Sequence, residues 1–197
     1  MQQLPLRLLL EASDDAAAQS LEVYPHDDHE IGSAFVEVDN YFTLFINNHM
    51  VGSGEHWDQT EAFNFQASCD EPTVYAIHGI DGEAEAGVAG AGIIAEFNHC
   101  GEVIRTNTKW KCTASDLQNA APVPPQYMDP NFDDSTWQVA TSYGKNGDSS
   151  NYWYHWMERP VDEIGPGATW IWTSDGREDP QHPGSSHNDV FCRYVRK

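Results

Sequence analysis

Residues 34–52 read AFVEVDNYFTLFINNHMVG, and the fold is decided in this row. Phe35, Val36 and Val38 form one apolar run, Asp39-Asn40 interrupts it, residues 41–46 form a second, and Asn47-Asn48 precedes a third. The row predicts strand, turn, strand, turn, strand, because Asp-Asn and Asn-Asn tolerate the positive φ that tight hairpin turns require. Beyond this row, β-like runs fall at 62–66, 73–78, 92–97, 102–105, 110–112, 137–141, 169–173 and 190–195. They are short, rich in β-branched and aromatic residues, and punctuated by Gly, Pro, Asn and Asp. With no helical segments between them, the series predicts an all-β sandwich or jelly roll. The exception is residues 7–18, rich in Leu and Ala, which read as a short helix. The change of character near Ser20 divides the chain into an N-terminal extension, 1–20, and one β domain, 21–197. That length suits a single sandwich. The glycine-rich stretch 81–92 reads as a loop or a close-packed strand, and two long loops span 115–134 and 145–168.

The charge narrows the partners. Ten Lys plus Arg against thirty-one Asp plus Glu leave a formal charge of −21, spread along the whole chain. Nucleic acid is excluded as a natural partner because phosphate binding needs a basic face. A bare anionic membrane is disfavoured for the same reason. There is no run of about 20 apolar residues that would span a bilayer. Cations, neutral sugars and other proteins remain. A solvated acidic surface is the simplest reading of the excess; Ca²⁺, which takes carboxylate and carbonyl oxygens in loops, is the sharper one.

Four cysteines, Cys69, Cys100, Cys112 and Cys192, lie at irregular spacings without a C-x-x-C pair. Two disulfides are expected, with four buried thiols as the alternative. Cys112 and Cys192 each sit in a β-like run, which favours 112–192 with 69–100. Disulfides imply a secreted or cell-surface protein, whereas residues 4–10 are apolar but short and broken by Arg7, so no complete signal peptide is evident.

Three segments in order carry a resemblance to a family. The row VDNYFTLFINNHMVGSG resembles the hairpin of galactose-binding-like jelly-roll domains, with Tyr41, Leu44, Phe45, Ile46, Asn47, Val51 and Gly52 filling its pattern and Asn48 standing where glycine is usual. NFDDSTWQVATSYG, residues 131–144, is similar to a segment of the sugar-binding-like domains attached to many glycoside hydrolases. TWIWTSD, residues 169–175, followed by the closing strand at 190–194, is the third. The resemblance implies a jelly roll that binds carbohydrate in its end loops and holds a structural Ca²⁺; other domains of this type are spacers or mediate assembly. In FDDSTW, Asp133, Asp134 and Ser135 suit bonds to free backbone N–H groups of a tight turn anchored by Phe132 and Trp137. The two aspartates therefore read as turn-formers in preference to metal ligands.

The candidate ligand contacts are aromatic. NYWYHWMERP, residues 151–160, gathers Tyr152, Trp153, Tyr154, His155 and Trp156. Sugar rings stack on flat aromatic faces, and a neighbouring His, Asn or Glu bonds their hydroxyls. The competing reading is a strand whose alternate aromatics fill the core. Trp57, among Glu55, His56 and Asp58, reads either as an exposed contact or as a lid over the core edge. His26, Asp27, Asp28, His29 and Glu30 form a dense acidic-histidine stretch in which Asp27, Asp28 and Glu30 are the candidate cation ligands, against a plain solvated loop. His78 reads as a satisfied strand residue. There is no G-x-S-x-G elbow, no catalytic cysteine signature and no phosphate loop. Two carboxylates suffice for glycoside hydrolysis, and so acidic a chain supplies them anywhere.

The expectation is a non-catalytic, calcium-stabilised, lectin-like module outside the cell that binds glycan through Trp57, Tyr152, Trp153, His155 and Trp156. The alternative is a structural subunit of an extracellular filament, coat or matrix that meets neighbouring protein subunits through the same loops; a glycoside hydrolase or its accessory comes third.

Overall fold

A computed structural model describes residues 29–82, 90–115, 123–174 and 189–197. The expected helix at 7–18 lies outside them. Twelve strands build the described chain: β1 His29–Asp39, β2 Tyr41–Ile46, β3 His49–Gly54, β4 Glu61–Ser68, β5 Thr73–Ile80, β6 Gly92–His99, β7 Glu102–Arg105, β8 Lys111–Ala114, β9 Gln138–Val139, β10 Thr141–Lys145, β11 Thr169–Trp172 and β12 Asp189–Arg196. One short helix, α1 Tyr152–Met157, lies between β10 and β11. The strands form two antiparallel sheets. The front sheet runs β10-β11-β6-β1-β4 with β7 also on β6, and the back sheet runs β3-β2-β5-β12-β8-β9. An all-β sandwich is therefore the fold.

Between the sheets, period-two alternation puts Ala34, Val36 and Val38 of β1 against Leu44 and Ile46 of β2, with Ile77, Ile93, Phe97, Trp110 and Trp172 in the same cluster. Asn47-Asn48 closes the β2–β3 hairpin with φ of 46° and 66°, as its sequence predicts. Cys100-Gly101, φ 54° and 71°, closes the β6–β7 hairpin in the same way. Asp39-Asn40 differs from expectation. β1 lies in the front sheet and β2 in the back, so these residues carry the chain across the sandwich and make no hairpin. Short polar residues that admit unusual backbone angles serve both purposes, and only the partner strands distinguish them.

Both disulfides have the expected pairing. Cys112 and Cys192 are register partners on β8 and β12, a cross-strand staple inside the core. Cys69–Cys100 ties the β4–β5 turn to the β6–β7 turn. No helix among the described residues is long and apolar enough to cross a membrane.

The outer face of the back sheet has its own cover. Tyr127 is buried on Val74 and Ala76, and Phe132 and Trp137 pack beside it. Asp133 accepts from Ser135 N at 3.0 Å, and Asp134 ion-pairs with the fully buried Arg193 and with Lys111. Asp133 thus forms the turn as the FDDSTW reading proposes, whereas Asp134 holds the loop through ion pairs with side chains.

Candidate ligand-binding face

Strand register fixes what the outer face of the front sheet presents. On β1 the outward positions are Ile31, Ser33, Phe35, Glu37 and Asp39, alternating with the core residues. Register places Gln66, Asn64 and Ala62 of β4 opposite Ile31, Ser33 and Phe35. On the other side of β1, Asn98 and Glu96 of β6 lie opposite Ser33 and Phe35, and Val103 and Arg105 of β7 follow. Exposure falls along β1, from 72% at Ile31 through half-buried Ser33 and Phe35 to 0% at Glu37. The face is therefore an open strip that runs beneath a covering segment at one end.

That cover is the chain between β10 and β11. Asn151 caps α1 by accepting from Tyr154 N at 2.7 Å and donates to Lys145 O at 2.7 Å. Trp153 lies flat on Trp170, centroids 4.2 Å apart and planes 10° from parallel, while its indole N–H donates to Asp39 at 3.3 Å. Gly92 makes this possible, since a Cβ there would come within 2.3 Å of the Trp153 ring. After α1, Asn146 pins the chain through Val161 and Ile164. Glu96 then accepts from Arg105 Nε at 2.7 Å and from Gly165 N at 2.9 Å.

Where cover and strip meet lies Glu37. One of its oxygens accepts from Thr60 Oγ1 at 2.8 Å, and the other, Oε1, is buried without a partner among the described residues. Burial pushes its carboxyl up to about 7; the Thr60 bond and Arg159 oppose the shift, and Glu163 and Asp58 reinforce it. Trp57 is 37% exposed in the connection that ends at Thr60. Arg159 reaches across to the carbonyl of Asp58 in the same connection, at 3.4 Å.

The sequence candidates divide accordingly. Trp57 is exposed near the covered end of the strip, whereas Trp153 is fully buried and offers no ring face to a sugar. Tyr152 is half-buried, packed edge-on to Trp153 and against Gly90. His155 and Trp156 belong to α1, but their side chains lie outside the described residues. The period-two strand reading of 152–156 is corrected to a helix, in which Asn151 supplies the N-cap that the row NYWYHW conceals. Asp27 and Asp28 lie outside the described residues, and Glu30 is an exposed β1 residue. Asn64, Gln66, Asn98 and Ser33 were not singled out by sequence, because only the pairing of three strands, β4, β1 and β6, brings them together.

Two other clusters have structural explanations. Cys69, Cys100 and His99 come close enough for a metal, but the sulfurs are bonded to each other. His99 Nε2 donates to Ala67 O at 3.1 Å, so Nδ1 accepts from Tyr75 O–H at 2.8 Å, and burial holds the ring below the usual imidazole range. His78, as expected, is a satisfied strand residue: it bonds Asp189 and stacks on Phe191 at 4.2 Å, while Ser115 donates to the same aspartate at 2.7 Å.

Fold and face together define a disulfide-stapled antiparallel β-sandwich with one partly open sheet surface. No family model, curated protein or solved structure matches the chain.

Proposed function

We propose that the protein is a carbohydrate-binding, lectin-like module of the extracellular space that holds a neutral glycan along the open strip of its front sheet. One observation carries this reading. In a chain of net charge −21, the exposed outward positions of β1, β4, β6 and β7 at the strip are Ile31, Ala62, Asn64, Gln66 and Val103, with Ser33, Phe35 and Asn98 half-buried among them. None is a carboxylate. Of the acidic outward residues described on these strands, Glu96 is neutralised by Arg105, and Glu37 and Asp39 lie buried at the covered end.

The chemistry suits a polyhydroxylated ligand. Amides and a hydroxyl both donate and accept, which matches sugar hydroxyls, and Ile31, Phe35 and Val103 offer apolar contact to C–H faces. Four strands at a spacing of about 4.8 Å give a strip roughly 15 Å across, room for an oligosaccharide. Trp57, partly exposed, offers an aromatic face for stacking. The surrounding acidity disfavours sulfated and uronic polymers through like-charge repulsion. Two disulfides suit an oxidising compartment.

Isothermal titration with neutral tetrasaccharides of β-1,4-linked glucose, galactose, mannose and xylose tests the reading. Binding of at least one, weakened by both Asn64→Ala and Gln66→Ala, supports it. Binding unaffected by either substitution removes the strip as the site.

A further inference from the structure

Glu37 lies one outward position beyond Phe35, at the point where the strip passes under its cover. Several elements place polar or charged groups around it. Thr60, just before β4, donates its one hydrogen bond. Asp58 in the β3–β4 connection and Glu163 after α1 place negative charge around it, and Arg159 places positive charge. Along its own strand, Asp39 is bonded by the Trp153 indole. On β6 its register partner is Ile94, and Glu96 beyond it is held by Arg105.

The nearby cation is engaged elsewhere. Arg159 donates to the carbonyls of Asp58 at 3.4 Å and Pro160 at 3.2 Å and makes no ion pair with Glu37 among the described residues. A neutral Glu37 fits this arrangement, since a buried neutral carboxyl costs far less than a buried charge. An ionised Glu37, with one hydrogen bond and an unpartnered oxygen, does not. It is relieved if Arg159 turns to it or water reaches it. Both routes disturb the same two pieces of chain, the segment after α1 and the connection that carries Trp57. Burial brings the proton exchange of this carboxyl into the neutral range.

We propose that Glu37 is a proton-operated latch beside the carbohydrate strip: protonated, it lets residues 158–165 close against the 55–60 connection, and ionised, it draws Arg159 away and loosens both. The consequence for glycan rests on the carbohydrate reading above. With the latch closed, the covered end of the strip and Trp57 are held in place, so binding is tighter in acid.

Two measurements on the full chain separate the claims. The first needs no sugar: NMR titration of the Glu37 side-chain carboxyl, with hydrogen exchange of the Val161, Ile164 and Gly165 amides at pH 5.5 and 8, corrected for intrinsic rates. These amides donate to Asn146 Oδ1, Val161 O and Glu96 Oε2 when the cover is closed. Their protection is expected to fall about tenfold at pH 8 in the wild type and to be independent of pH in Glu37→Gln. A carboxyl midpoint in the ordinary glutamate range, or equal protection at both pH values in the wild type, overturns the latch without recourse to the variant. The second is affinity for the four neutral tetrasaccharides at the same two pH values, expected to be about tenfold weaker at pH 8 in the wild type and unchanged in Glu37→Gln. Absence of sugar binding at any pH, with pH-dependent protection, defeats the glycan reading and leaves the latch standing. Binding with constant protection does the reverse.

Discussion

Asn146 treats Val161 as a neighbouring strand would: its side-chain oxygen accepts from Val161 N at 2.9 Å, and its amide donates to Val161 O at 2.9 Å. The same amide also reaches Ile164 O. One side chain thereby satisfies three backbone groups of a segment that has no strand partner there, all of them buried. The cover over Glu37 depends on this clamp. Asn146→Ala is expected to cost about 2–4 kcal/mol in chemical denaturation, because each buried group left unpaired carries its own penalty. A loss below about 0.5 kcal/mol would show that the segment is held by its apolar contacts alone.

Glu37 makes the stability depend on pH with a defined sign. Its folded value, about 7, lies above the ordinary 4.5, so the folded chain binds this proton more tightly than the unfolded chain. The contribution is complete below about 4.5 and is lost as pH rises toward 7, amounting to roughly 3 kcal/mol at most. Subtracting the pH profile of Glu37→Gln from that of the wild type should reveal this slope between pH 4.5 and 7. Parallel profiles would mean that Glu37 titrates as a solvated carboxyl.

Trp153 and Trp57 should separate under the same substitution. Trp153→Ala removes a fully buried ring stacked on Trp170 and is expected to cost about 3–5 kcal/mol in stability. Trp57→Ala removes a ring that is 37% exposed and should leave the melting temperature within a few degrees of wild type while weakening sugar binding. Thermal melts and titration calorimetry on the two variants check this. A folded, stable Trp153→Ala protein would contradict the structural role of that ring.

These two tryptophans show what sequence can and cannot resolve. Strands were legible as short β-branched and aromatic runs between turn residues: 102–105 and 169–173 match β7 and β11 within a residue, and the cysteine pairing followed from 112 and 192 both lying in β-like runs. The segment 152–156 misled because a dense run of aromatics fits a strand or a single helical turn equally well. Glu37 was invisible as a special group, since a polar residue between Val36 and Val38 reads as an outward strand position. Its burial comes from a segment more than a hundred residues away in sequence. The strip was invisible for a related reason: Asn64, Asn98 and Ser33 meet only through the β4-β1-β6 pairing.

Both disulfides should contribute to stability, the cross-strand one slightly more. Cys112–Cys192 closes a span of 80 residues and Cys69–Cys100 one of 31, so loss of chain entropy in the unfolded state favours the first, at about 4 kcal/mol each with a small difference between them. Denaturation of the Cys112→Ala/Cys192→Ala and Cys69→Ala/Cys100→Ala double variants checks both sizes. Near-zero loss in the first would mean that the core packs equally well around two small side chains.

Mapping amide chemical shifts as neutral tetrasaccharides are titrated into isotope-labelled protein shows whether a neutral glycan lies on the open strip. Saturable shifts are expected only on the strip and its rim, at Ile31, Ser33, Asn64, Gln66, Asn98 and Val103 with Trp57 at the covered end, and none with a sulfated or uronic oligosaccharide. Shifts centred on the back sheet, or no shift with any neutral sugar, would contradict it.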